Sequence, residues 1–109
     1  MPVDLPEPIA IYFSSDNSGD TSKLGQCFDV NAVVKDEGHT YNGLAEIEQW
    51  RVDAKKKFQY TMQPISAIVK DGNITVTNRL TGNFPGSPID LQFVFGVVGN
   101  KITSLDIHP

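Results

Sequence analysis

Apolar residues recur in a helical rhythm in the first half of the chain and alternate in the second. Leu5, Ile9, Tyr12 and Phe13 fall on one face of a helix. Pro6 and Pro8 suit its first turn, where their missing N–H groups are not needed. Asp4 is a candidate N-cap, and Glu7 matches the positive end of the helix dipole. The polar run at residues 14–19 reads as the loop that ends this helix. Asp20 then caps a second, short helix carrying Leu24, Cys27 and Phe28 on one side. A short apolar strand, Ala32-Val33-Val34, enters a polar loop around Gly38. The third helix follows, with Asn42 as a candidate cap and Leu44, Ile47, Trp50 and Ala54 forming its apolar face. Lys55-Lys56-Lys57 closes it, where positive charge complements the dipole.

Beyond that helix the pattern predicts strands. Residues 58–70 form a long extended segment with a bulge or bend near Pro64, and Asp71-Gly72 signals a hairpin turn. Ile74, Val76 and Leu80 alternate with Thr75, Thr77, Arg79 and Thr81. After the irregular Phe84-Pro85-Gly86-Ser87-Pro88 connection, Ile89, Leu91, Phe93, Phe95 and Val97 take every second position. Gly99-Asn100 is a further turn, and residues 101–108 are the last strand. The outline is three helices followed by about four long strands and one short one. Helices first and strands later favour an α+β architecture over alternating βαβ units. Long strands bent at Pro64, Gly82 and Gly96 suit a curved sheet wrapped over the helices, and the open end of such a cone is a pocket.

The 109 residues suit a single domain, 1–109, with one core. A net charge of −4 argues against a nucleic-acid or anionic membrane surface, both of which call for surplus Lys and Arg. No apolar run approaches the roughly 20 residues of a membrane helix, and the N-terminus lacks the pattern of a signal peptide. Cys27 stands alone, so no internal disulfide forms, and a reducing cytoplasm is the expected compartment.

Candidate chemistry gathers where the short strand ends. In a strand, Ala32, Val34 and Asp36 share a face, so Asp36 points into the cone if Val34 does. A carboxylate at an apolar mouth has its charged form disfavoured and can act as a general base; the plainer alternative is a loop aspartate binding backbone N–H groups. His39 is either an acid–base partner for Asp36 or a solvated loop residue. Asp36, Glu37 and His39 carry no recognised metal spacing, and the expected chemistry needs no metal or organic cofactor. Tyr12 is either a core tyrosine or a hydroxyl opening to the pocket. Val34, Trp50, Phe84, Phe93 and Phe95 are candidate pocket-lining residues or simply core.

The run from Phe28 to Val34, followed by Asp36, Gly43, Ile47 and Trp50, resembles the nuclear transport factor 2-like superfamily, in particular its SnoaL-like branch of cone-shaped α+β proteins. The resemblance covers nearly the whole chain and includes Gly82 to Pro88 and Lys101-Ile102. It implies a mostly antiparallel curved sheet around three helices and a homodimer packed through the sheet's outer face. The family includes isomerases, polyketide cyclases, dehydratases, epoxide hydrolases and non-catalytic binding proteins, so fold alone does not select an activity. Set beside bacterial ketosteroid isomerases, Asp36 takes the position of the catalytic aspartate and Tyr12 that of the oxyanion-binding tyrosine. Their third group, a late protonated aspartate, falls near Phe93, so that acid is not carried over. The resulting expectation is acid–base chemistry, such as isomerisation, cyclisation or dehydration, on a small hydrophobic molecule, with Asp36 as base, His39 as acid or orienting group and Tyr12 as donor. The rival is a ligand-binding or interaction module of the same fold.

Overall fold

The computed structural model describes residues 4–109. Helix α1 (Glu7–Ser18) leads through a 3₁₀ turn (Thr21–Lys23) into the short α2 (Leu24–Cys27). Strands β1 (Phe28–Asp36) and β2 (His39–Asn42) precede α3 (Leu44–Lys57), and β3 (Tyr60–Lys70), β4 (Asn73–Gly82), β5 (Ile89–Val98) and β6 (Lys101–His108) complete the chain. The strands form one sheet in the order β2-β1-β6-β5-β4-β3. Among the described residues, the β1–β6 pair alone is parallel. This is the α+β cone that the sequence predicts.

Several local expectations need correcting. Residues 14–18 continue α1 instead of ending it, because Ser15 and Asp16 are buried and supply the helix with a polar anchor. The helix stops at Gly19, whose left-handed φ of 77° lets its N–H reach back to Asp16 O. Pro6, not Asp4, holds the N-cap position, and its carbonyl accepts from Ile9 and Ala10 N–H. Gly43, not Asn42, caps α3; the Asn42 N–H instead donates to Glu46 Oε1 at 2.9 Å. The polar loop around Gly38 is a tight hairpin, with Glu37 and Gly38 at positive φ and β2 paired back on β1. Asp20 caps as predicted, accepting from Ser22 N–H at 3.0 Å.

Register assigns the faces. Met62, Leu80 and Ile89 line up across β3, β4 and β5 on the concave side, as do Ala67, Val76, Phe93 and Ile107 through β6. Ala32 and Val34 of β1 are buried on that side too. Helices α1 and α3 lie in this concavity, where Ile9, Phe13 and Ile47 meet Phe95 and Leu105 in one core. Register shifts at Pro64 and after Gly96 bend the long strands. At Gly82 a side chain would collide with the Gln59 carbonyl oxygen and the Tyr60 backbone, so β4 can approach the start of β3 only through a bare Cα. Gly82→Ala is therefore expected to destabilise the fold by roughly 1–3 kcal/mol, seen as a lower urea midpoint with an unchanged slope.

Candidate functional site

The helices cover only part of the concave face. Phe95 is sealed beneath Tyr12 and Phe13 of α1 and Val76 is fully buried, whereas Leu80, Leu91 and Ile107 stay half-buried and bound a cavity of about 770 Å³. Tyr12 of α1, Trp50 of α3, Phe58, Tyr60, Phe84 and Phe93 give it an aromatic lining. Its ionisable groups include Asp36, Glu37, Lys57 and His108.

Asp36 ends β1 on the same face as Ala32 and Val34, which directs it inward. Trp50 Nε1 donates to Asp36 Oδ2 at 3.1 Å, so α3 fixes the carboxylate's orientation. Burial pushes the Asp36 carboxyl above its ordinary range, and the charge on Glu37 adds to this; the Trp50 bond and nearby His39 oppose it without cancelling it.

The Tyr12 ring is fixed by edge-on contacts with Phe13, Phe28 and Phe95 at centroid distances of 5.2, 5.7 and 5.7 Å. Among the described residues no hydrogen-bond partner occupies its hydroxyl, and the residue lines the cavity. Burial raises its phenol well above the usual tyrosine value, with the charge on Asp16 adding to the effect and Asp36 close enough to contribute. Asp36 and Tyr12 thus converge on one hollow.

The other expected site residues divide. Trp50, Phe84 and Phe93 line the cavity. Phe95 and Val34 do not: each sits one alternation deeper than its lining neighbour, Phe93 or Asp36, and is wholly enclosed by core. His39 is the cross-strand partner of Asp36, but β2 is the sheet's edge and leaves it exposed, outside the cavity lining. Arg79, whose facing the strand pattern leaves open, lies on the outer face, paired to Asp90 at 2.8 Å.

A buried polar network behind Tyr12 escaped sequence reading. Arg51, 1% exposed, meets Asp16 at 2.9 Å and donates to Ser15 Oγ at 3.2 Å and to the Tyr12 carbonyl at 3.4 Å. Lys55 reaches the second Asp16 oxygen at 3.2 Å, and the Tyr60 hydroxyl donates to Asp16 at 3.4 Å. The Arg51 Nε and Lys55 approaches are charge contacts more than aligned hydrogen bonds, since neither Arg51 Nε nor Asp16 Oδ2 meets a partner along a bonding direction. Desolvation lifts the Asp16 carboxyl while both cations pull it down. Tyr60 shares its face with Met62, a period-two signal that could have marked it as inward-facing.

Removing the indole donor should push the Asp36 carboxyl higher, so Trp50→Phe is expected to raise its titration midpoint in carboxyl-selective NMR. Folded Asp36 holds its proton more tightly than the unfolded chain does, so its charging costs stability as pH rises from about 4 through the folded titration. Asp36→Asn should accordingly melt above the wild type at pH 7 and lose that advantage in acid, as differential scanning calorimetry would show.

No family model and no curated protein matches the sequence. Solved structures do. A candidate polyketide cyclase from Sinorhizobium meliloti is 36% identical, with a TM-score of 0.92 and 96% of each chain covered. A protein of ketosteroid isomerase-like fold from Catenulispora acidiphila, solved with trimethylamine, is 18% identical with a TM-score of 0.83, covering 97% of this chain and 87% of that one. A SnoaL-like candidate polyketide cyclase from Jannaschia is 14% identical with a TM-score of 0.76, covering 93% and 81%. The last two show the fold alone, while the first is a relative matched over almost its whole length. The chain belongs to the nuclear transport factor 2-like superfamily, in its SnoaL-like branch.

Proposed function

We propose that the protein catalyses a cofactor-independent acid–base rearrangement, an isomerisation or cyclisation, of a small apolar molecule held in the cavity. The observation that carries this reading is the convergence of an inward, desolvated carboxylate and a hydroxyl without a protein partner on one aromatic hollow. Asp36 takes a proton from a carbon beside a carbonyl. The electron pair moves to the carbonyl oxygen, and the Tyr12 hydroxyl donates to that oxygen as charge develops. The protonated Asp36 then returns the proton at another atom, so one carboxyl serves both steps. His39 has no part in this scheme. The Sinorhizobium relative's assignment as a candidate polyketide cyclase supports the same class of chemistry.

The protein is further proposed to act as a cytoplasmic homodimer joined through the outer sheet face, without nucleic acid. Ile68, Thr75 and Val94 line up across β3, β4 and β5 on that face, and Ile68 is 62% exposed. One buried thiol, Cys27, suits a reducing compartment.

With a panel of β-dicarbonyl compounds, Asp36→Asn is expected to abolish the protein's acceleration of proton exchange at the activated carbon over the buffer rate, followed by NMR in deuterated water. Tyr12→Phe should slow it by about 10²–10³-fold. Exchange that is unchanged in both variants would leave a ligand-binding module. For assembly, Ile68→Lys with Val94→Glu should convert a dimer into monomers in sedimentation velocity.

A further inference from the structure

The inward face of β4 runs Ile74, Val76, Asn78, Leu80, with one amide in an otherwise apolar row. Register places Asn78 opposite Pro64 of β3 and Leu91 of β5. Leu80 and Leu91 line the cavity, whereas Asn78 is 0% exposed. Its Nδ2 donates to Met62 Sδ at 2.9 Å, and its Oδ1 has no hydrogen-bond partner among the described residues. Met62 lines the cavity, so the side chain that meets the amide is part of the cavity wall.

A buried amide in this state costs stability. A thioether is a weak acceptor, and a carbonyl oxygen without a donor forfeits the hydrogen bonds it makes in water. A leucine would extend the apolar row at no such cost, so neither strand propensity nor packing accounts for an asparagine here. The side chain against it is suited to moving. The Met62 N–H and carbonyl are both held by the Asn17 side chain, at 2.8 and 2.9 Å, which fixes the backbone. Beyond that backbone the Met62 side chain is unbranched and turns about three bonds, so it can shift without disturbing β3.

We propose that Asn78 is a ligand-binding residue: when the Met62 side chain turns aside, a hydroxyl of the bound molecule donates to Asn78 Oδ1 and accepts from Nδ2. A hydroxyl carries one donor and two lone pairs, so it satisfies both ends of the amide, which an ether oxygen or a ketone cannot do. This rests on the cavity being the ligand site, as in the function proposed above. It adds a substrate class, a hydroxylated carbonyl compound held with its carbonyl at Tyr12 and its hydroxyl at the sheet. Asn78 selects the molecule and takes no part in moving the proton.

Isothermal titration calorimetry at pH 7 tests this with 2-acetylnaphthalene, its 5-, 6- and 7-hydroxy derivatives and their methyl ethers. At least one hydroxy isomer is expected to bind about tenfold tighter than its own ether. Asn78→Leu should abolish that advantage, leave the affinity for 2-acetylnaphthalene unchanged and raise the melting temperature. Met62→Ile, whose branched side chain turns less freely, should cut the advantage about threefold. In the wild type, the Asn78 side-chain amide signal in NMR should shift with the favoured hydroxy isomer and not with its ether, a readout that needs no variant to fold. No advantage for any hydroxy isomer, or an advantage that survives Asn78→Leu, overturns the proposal, and bound 2-acetylnaphthalene then leaves the acid–base reading standing. Failure of every probe to bind removes both.

Discussion

The concave face of the sheet is longer than the helices available to cover it, and the rest of the structure follows from that mismatch. Along β5 the inward residues grade from Phe95, which is wholly buried under Tyr12 and Phe13, through Phe93 to the half-buried Leu91 and the 39% exposed Ile89. Burying apolar surface is favourable wherever a partner surface exists. Where α1 and α3 run out, the same alternation lines a hollow. Core and cavity are two ends of one surface, which is why a substitution that disturbs curvature at Gly82 acts on both.

Charge buried between α1 and α3 defines the back of that hollow. An ion pair such as Arg51–Asp16 gains little over an apolar contact of equal volume, because desolvation offsets most of the Coulomb attraction. Its contacts are concentrated on Tyr12, Ser15 and Asp16, the turn of α1 that carries the cavity's free hydroxyl. Removing one partner would strand the other in a medium that solvates it poorly. The pair therefore couples the angle between the helices to the placement of a single phenol.

The cavity carries ionisable groups as well as an apolar lining. At the end of β1, a carboxylate whose proton affinity is raised by burial accepts a hydrogen bond from Trp50 of α3. Cations of α3 lie against the rings of Tyr12 and Tyr60. The fold supplies the shape common to this superfamily; these polar contacts come from the side chains.

The sequence by itself determined the α+β class, the turns at Asp71-Gly72 and Gly99-Asn100, the bulge at Pro64 and the face that Asp36 shares with Ala32 and Val34. Each is set by local rules: positive φ in short hairpins, a missing N–H, and side-chain alternation along a strand. Tertiary structure alone decided which inward residues became core and which became lining, because Phe93 and Phe95 have the same period and differ only in what lies above them. It also decided the fate of the Ser-Ser-Asp run. Residues 14–18 look like a loop until Arg51, 36 residues from Ser15, arrives to satisfy them and lets the helix continue. His39 shows the same limit in reverse: it lies three positions from Asp36 in the chain and opposite it in the hairpin, yet an edge strand leaves it in solvent. Periodicity fixes which face a side chain takes, but the cover over that face comes from elements far away along the chain.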